Sequence, residues 1–228
     1  MSQACRLPAT RIFDTPELLI RMLANTLEGQ AASAIAAHGR FHLVLAGGTT
    51  PRALYEELAR RGAGNAGWHI WYGDERCLPV DHPGRNSAMA EAAWLAASRI
   101  PPAQRRPIPA ERGAEAAAAE YTTWLEAVPC FDLVLLGLGE DGHTASLFPG
   151  HDWREGSVLA IHDAPKAPPD RVSLSVARLS SSQAVWFVVT GEAKRDAISR
   201  WEAGERLPAA AVRGRYITQL WMDRAAAV

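Results

Sequence analysis

The chain has 228 residues, 48% of them apolar and 21% charged, enough apolar material for a full core in one α/β domain. Its formal net charge is −1 and its basic residues are scattered, which excludes the basic stripe of a nucleic-acid binder and the polybasic patch of a membrane-surface protein. The N-terminal residues lack a charged region followed by an apolar core, and no apolar run reaches membrane-spanning length. Cys5, Cys77 and Cys130 lie far apart without a C-x-x-C pair, so ordinary reduced thiols in a cytoplasmic protein are expected, with no disulfide scaffold or zinc site.

In chain order, Thr15-Pro16-Glu17 reads as an N-cap followed by proline at the first helical position, and apolar spacing carries that helix to about Ala37. Phe41 to Ala46 is an apolar strand. Gly47-Gly48-Thr49-Thr50-Pro51 follows, and then a helical pattern through Ala53, Leu54 and Leu58. A strand, a glycine turn, hydroxyls and a proline opening a helix make an anion cradle, because free N–H groups and the helix dipole face the turn. Taken alone, the same residues read more readily as a tight strand-to-helix turn capped by threonine. A second strand, His69 to Gly73, ends in Asp74-Glu75-Arg76, charges that are ordinarily solvated in a loop. Asn86 suits the cap of a helix through Met89, Ala93 and Leu95. Pro101 to Pro109 reads as a surface connection, and Ala114 to Val128 as a helix.

Phe131 to Leu138 runs without alternation, as a parallel strand covered on both faces does. Ligands in such sheets bind at the strands' carboxyl ends, and there the chain delivers Gly139, Glu140, Asp141, Gly142, His143, Thr144 and Ser146. Gly137, Gly139 and Gly142 also spell G-x-G-x-x-G, with Asp163 about 20 residues on, as a dinucleotide fingerprint asks. Pro149 and Gly150 stop any helix there too soon for a crossover helix, and Glu140 and Asp141 would oppose a pyrophosphate. Further strands are expected at Val158 to Ile161, Val172 to Val176, Ala184 to Val189 and Tyr216 to Met222. A proline-rich loop carries the chain from Asp163 to Arg171. Lys166 and Lys194 are the chain's lysines among 24 basic residues; Lys194, at a helix N-terminus beside a strand end, suits a point-charge contact to phosphate. The alternation of strands and helices predicts a three-layer α/β/α sandwich around a mainly parallel, Rossmann-like sheet, as a single domain over residues 1–228.

The string LGLGEDGHTASLFPG, Leu136 to Gly150, resembles the signature of 6-phosphogluconolactonases, relatives of the glucosamine-6-phosphate deaminases. The continuation Thr144-Ala145-Ser146-Leu147-Phe148-Pro149 is the lactonase one. The segment WYGDERCLPVDHPGRNSAMA, Gly47-Gly48-Thr49-Thr50-Pro51, the loop before Arg171 and Gly191 to Lys194 resemble the same family's motifs in the same order, and Arg76 stands where deaminases have tyrosine. The resemblance implies hydrolysis of 6-phospho-D-glucono-1,5-lactone in the oxidative pentose phosphate pathway, with neither metal nor organic cofactor and no protein partner evident. It implies His143 as general base, a role its reference pKa of about 6.5 suits, with Asp141 beside it. It implies phosphate contacts from Gly47, Gly48, Thr49, Thr50, Arg76 and Lys194, with Arg171 reaching the ligand side and Asp74 and Asn86 lining the pocket. Arg85 departs from the serine common in the family, so its role and that of Ser87 stay open. An amino-sugar-phosphate deaminase or isomerase, and a non-catalytic sugar-phosphate sensor, are the alternatives.

Overall fold

A computed structural model describes residues 6–153 and 156–228; Cys5 lies outside the described residues. The elements run β1 (Ala9–Phe13), α1 (Pro16–His38), β2 (Phe41–Leu45), α2 (Thr49–Arg60), β3 (Trp68–Tyr72), β4 (Asp74–Arg76), α3 (Asn86–Ala93) and α4 (Ala114–Leu125). They continue as β5 (Phe131–Leu136), β6 (Val158–Ile161), β7 (Arg171–Leu174), α5 (Val176–Ser180), β8 (Ser182–Val189), α6 (Arg195–Glu202), α7 (Pro208–Ala211) and β9 (Ile217–Asp223). Among the described residues no helix is long and apolar enough to cross a membrane.

Six strands form the main sheet in the order β1-β9-β8-β5-β2-β3, and every pairing in it is parallel. The chain moves one way across the sheet from β1 through β2 to β3, then back through β5 and β8 to β9. Right-handed crossovers put connections of opposite direction on opposite faces, which produces the expected three layers. The inner strands β2 and β5 carry the continuous apolar runs and are buried along most of their length; each Val or Leu so placed contributes about 1.5–3 kcal/mol. From the neighbouring carboxyl ends of β2 and β5 the chain departs in opposite directions. In an open α/β sheet the ligand crevice forms at that point.

Several expectations need correction. β1 was not foreseen: ATRIF sits at the sheet edge, mostly exposed, held by pairing to β9 and by Phe13 stacked on Trp221. Asp74-Glu75-Arg76 is a strand, not a solvated loop, and with β7 and β6 it makes a second, antiparallel sheet in the order β4-β7-β6. The strand expected to reach Val176 stops at Leu174, because the Ser175 hydroxyl accepts Arg178 N at 3.1 Å and starts α5. The helix expected through Leu95 ends at Ala93, where Trp94 turns to φ −151°, and α4 ends at Leu125 rather than Val128. The Pro101 to Pro109 connection is partly internal: Ile108 is fully buried and Arg106 N donates to Ile70 O at 2.9 Å along the β3 edge.

Candidate active site

The Gly47 to Thr50 turn is fixed from both sides. Tyr55 on α2 donates its hydroxyl to Ala46 O (2.8 Å) and accepts Ala46 N (3.0 Å), locking the end of β2 to the helix that follows. Gly48 occupies the N-cap of α2 at φ 108°, a left-handed conformation that suits glycine, and no side chain caps the helix. The threonine cap is therefore not formed. Thr50 Oγ1 instead meets Thr190 Oγ1 at 2.6 Å, tying the start of α2 to the end of β8. A Cβ on Gly47 would overlap the Asn86 amide, so glycine is what permits the close approach. The first turn of α2 presents backbone N–H groups with the dipole's positive end, an arrangement suited to an anion.

After β5 the chain folds into a tight turn, with Gly139 N donating to His143 O at 2.8 Å and Gly142 N to Gly139 O at 3.0 Å. No helix follows Gly142 before β6 among the described residues, which removes the dinucleotide reading. The turn brings His143 Nδ1 onto Asp141 Oδ1, and the same oxygen accepts His143 N at 3.1 Å. An ionised carboxylate only accepts, so Nδ1 carries the proton and Nε2 is left as the basic atom. A Cβ on Gly139 would overlap both side chains of this pair. Burial lowers the His143 pKa, and the bond to Asp141 opposes that shift without reversing it. Burial would raise the Asp141 pKa, but the bonds it accepts from the His143 ring and backbone outweigh it and hold the carboxyl below its usual range. The two shifts agree on a neutral imidazole beside an ionised acid near neutral pH.

Behind this pair lies a network of buried polar groups. Asp74 is 6% exposed; its Oδ1 accepts from Asn86 Nδ2 (3.0 Å) and its Oδ2 from Ser146 Oγ (2.7 Å). Asn86 does not cap α3 as expected, since it is the helix's first residue. Fully buried Glu75 does that work, accepting Asn86 N at 2.7 Å and Ser87 N at 2.8 Å. The Asn86 side chain is thereby left for Asp74. Arg85 pairs with Glu111 at 2.8 Å and lies 3.5 Å from Glu75, and it donates to Ile108 O at 2.7 Å. Arg85 is thus a structural tie, and Ser87 contributes its backbone.

These elements enclose a cavity of about 340 Å³ lined by Gly47, Gly48, Asp74, Arg76, Asn86, His143, Arg171 and Lys194, and also by Lys166. Thr49, Thr50 and Asp141, expected at the site, are not among its lining residues. Arg76 donates to Gly84 O, while its Nε is buried without a protein partner among the described residues. Burial lowers the Lys194 pKa, and Glu140, 4.0 Å away, opposes that shift. A larger cavity of about 640 Å³ lies elsewhere, lined by Tyr72, Arg85, Ile108 and Trp124. Its arginines Arg85, Arg105 and Arg112 are already paired with glutamates at 2.7–2.8 Å. The smaller cavity is the candidate site because its cations converge beside the Asp141–His143 pair.

The family model for glucosamine-6-phosphate isomerases/6-phosphogluconolactonase matches residues 14–221. The chain belongs to this family. The 6-phosphogluconolactonase of Rattus norvegicus is 38% identical to it, over 95% of this chain and 91% of the relative. That of Mycobacterium leprae (strain TN) is 35% identical, over 96% and 97%. The solved structure of 6-phosphogluconolactonase from Thermotoga maritima matches with a TM-score of 0.87 at 25% identity, covering 95% of this chain and 99% of that one. In this member of the family, sequence reasoning missed Lys166 as a site residue. Its signal was compositional: the chain's two lysines, Lys166 and Lys194, both line the cavity. The supporting roles of Ser146 and Glu75 depend on contacts to residues distant in sequence and left no local signal.

Proposed function

We propose that this chain hydrolyses 6-phospho-D-glucono-1,5-lactone to 6-phospho-D-gluconate, the lactonase step of the oxidative pentose phosphate pathway, in the cytoplasm. The observation that carries the reading is the Asp141–His143 pair in the wall of a cavity lined by Arg76, Lys166, Arg171 and Lys194. A phosphate dianion taken from water needs several compensating donors, and the α2 N-terminus, Arg76 and Lys194 supply them. Asp74 and Asn86 hold the sugar side of the pocket in register. The names of the relatives support the choice of substrate.

His143 Nε2 takes a proton from water as the water oxygen bonds to the lactone carbonyl carbon. The tetrahedral intermediate then collapses, the bond to the ring oxygen breaks, and the imidazolium returns its proton to that oxygen. The product is an open-chain acid, which ionises. Asp141 keeps the ring in the required tautomer and stabilises imidazolium while it exists.

A coupled assay in which glucose-6-phosphate dehydrogenase generates the lactone tests the proposal: the lactone should disappear far faster than it does spontaneously. Decay at the spontaneous rate with 6-phosphogluconate still bound would make the chain a sensor. Ammonia released from glucosamine 6-phosphate would make it a deaminase.

A further inference from the structure

The loop between β6 and β7 forms a wall of the cavity that the Asp141–His143 pair does not explain. Ala164 N donates to Pro169 O at 3.0 Å and closes its base. Arg171, 5% exposed, donates to Lys166 O (2.7 Å), Pro168 O (3.1 Å) and Ala167 O (3.2 Å). Three of the five N–H donors of that guanidinium are thus committed to consecutive carbonyls. The backbone that carries Lys166 is held rigidly, and its side chain is exposed at the cavity.

The cavity's other cations already have partners. Arg76 donates to Gly84 O, Arg171 holds the loop, and Lys194 lies by Glu140. Lys166 forms no ion pair among the described residues. The cations also divide by place. Arg76 and Arg171 oppose each other across β4 and β7, on the Asp74 side. Lys166 is the cation whose charge reaches His143, and it also acts on Lys194. Lys166, His143 and Lys194 line the same cavity, so a phosphorylated lactone bound there meets the base, the lysine assigned to phosphate and this third group together.

We infer that Lys166 is a catalytic residue, the cation that holds the lactone carbonyl oxygen as it becomes an oxyanion. The inference rests on the lactonase reading above. When water adds, the carbonyl π pair moves onto oxygen and the water proton goes to His143. Lys166 neutralises the new charge and keeps its own protons. When the ring C–O bond breaks, the leaving oxygen takes the proton from His143 and the carbonyl re-forms, ending the demand on Lys166. A compact ammonium on a flexible stem suits a charge that appears and vanishes, and a donor aimed at developing charge accelerates the step without tightening substrate binding.

The charges facing His143 are Asp141 on its own turn and Asp74 on β4, which favour imidazolium, and Lys166 on the loop, which disfavours it. The test is steady-state kinetics of Lys166→Met and Lys166→Arg across pH, with thermal unfolding of each variant to establish folding. For Lys166→Met we expect kcat to fall about 10²–10³-fold with KM little changed. The acid limb of kcat/KM should move to higher pH, because a cation that depressed the His143 pKa is gone. Lys166→Arg should keep the limb in place and recover part of kcat. Parent-like kcat in Lys166→Met, an unmoved limb, or a loss confined to KM would overturn the assignment. A parent chain that leaves the lactone at its spontaneous decay rate would instead overturn the lactonase reading.

Discussion

Arg76 on β4 and Arg171 on β7 are direct cross-strand partners, and both line the cavity. Like charges directly opposite each other destabilise a strand pair, and burial lowers the Arg171 pKa, with Asp74 opposing that shift. Under the proposed function, an anionic group of the substrate bound beside Arg76 offsets part of this repulsion.

Replacing Arg76 with Met should therefore leave the ligand-free Tm within about 4 °C of the parent, since a change of about 1 kcal/mol moves a chain of this size by that much or less. Its effect should appear on binding. In the parent, 6-phosphogluconate at about 100 Kd should add roughly 2.7 kcal/mol of stability, and in the variant less than half of the corresponding Tm rise should remain. Thermal unfolding with and without ligand checks this, and an undiminished ligand shift would remove Arg76 from the anion site.

Gly139→Ala tests whether the catalytic pair depends on glycine beneath it, because the added Cβ overlaps both the His143 ring and the Asp141 carboxylate. Displacing a general base by about 1 Å can cost about 10²-fold. A loss of that order in kcat should appear with KM nearly intact, since the Gly47 to Thr50 turn is a separate element. Parent-like turnover in Gly139→Ala would show that the pair tolerates the shift.

The parts legible in the sequence are those whose cause is local. Thr15 and Pro16 start α1 because the Thr15 hydroxyl accepts Leu18 N at 3.2 Å, and the apolar run of β5 specifies a strand buried on both faces. The Asp141–His143 contact is different: spacing alone left it open, and the turn closed by Gly139 N on His143 O and Gly142 N on Gly139 O brings the two side chains together. What escaped the sequence depends on distant partners. Asp74-Glu75-Arg76 becomes a strand only because residues 171–173 pair with it, and Asn86 loses its expected capping role to Glu75, eleven residues earlier. β1 carries little apolar signal because the sheet edge buries little of it. Lys166 sits in a loop whose shape is set by Arg171 reaching back to three carbonyls, which no local pattern encodes.

His42 should make the fold acid-sensitive. It is 8% exposed, its Nδ1 accepts Trp71 Nε1 at 3.1 Å, and burial, aided by His69, Arg40, His38 and Arg178, lowers its pKa to about 4. The unfolded residue titrates near about 6.5, so between those values the unfolded chain binds a proton that the folded chain lacks. Stability should fall as pH drops below about 6.5 and level off below about 4, a contribution on the order of 3 kcal/mol. His69 and His143, whose pKa values burial also lowers, add to the same slope. His42→Leu should be less stable at neutral pH, where Trp71 Nε1 loses its acceptor, yet flatter with pH by urea unfolding. Equal pH slopes in parent and variant would sink this account.

The proposed hydrolysis depends on His143 as its general base. His143→Ala should fold as the parent does, bind 6-phosphogluconate with similar affinity through the separate phosphate cradle, and lose about 10²–10⁴-fold in kcat. The parent's kcat/KM should fall on the acid side with a midpoint below about 6.5, because burial lowers the His143 pKa, and the variant should lack that limb. The most direct measurement is the coupled lactone-hydrolysis assay on parent and His143→Ala across pH, paired with 6-phosphogluconate titration of both. Loss of turnover and of the acid limb at unchanged affinity is the predicted result. Near-parent turnover in His143→Ala would contradict it and place the base elsewhere in the cavity.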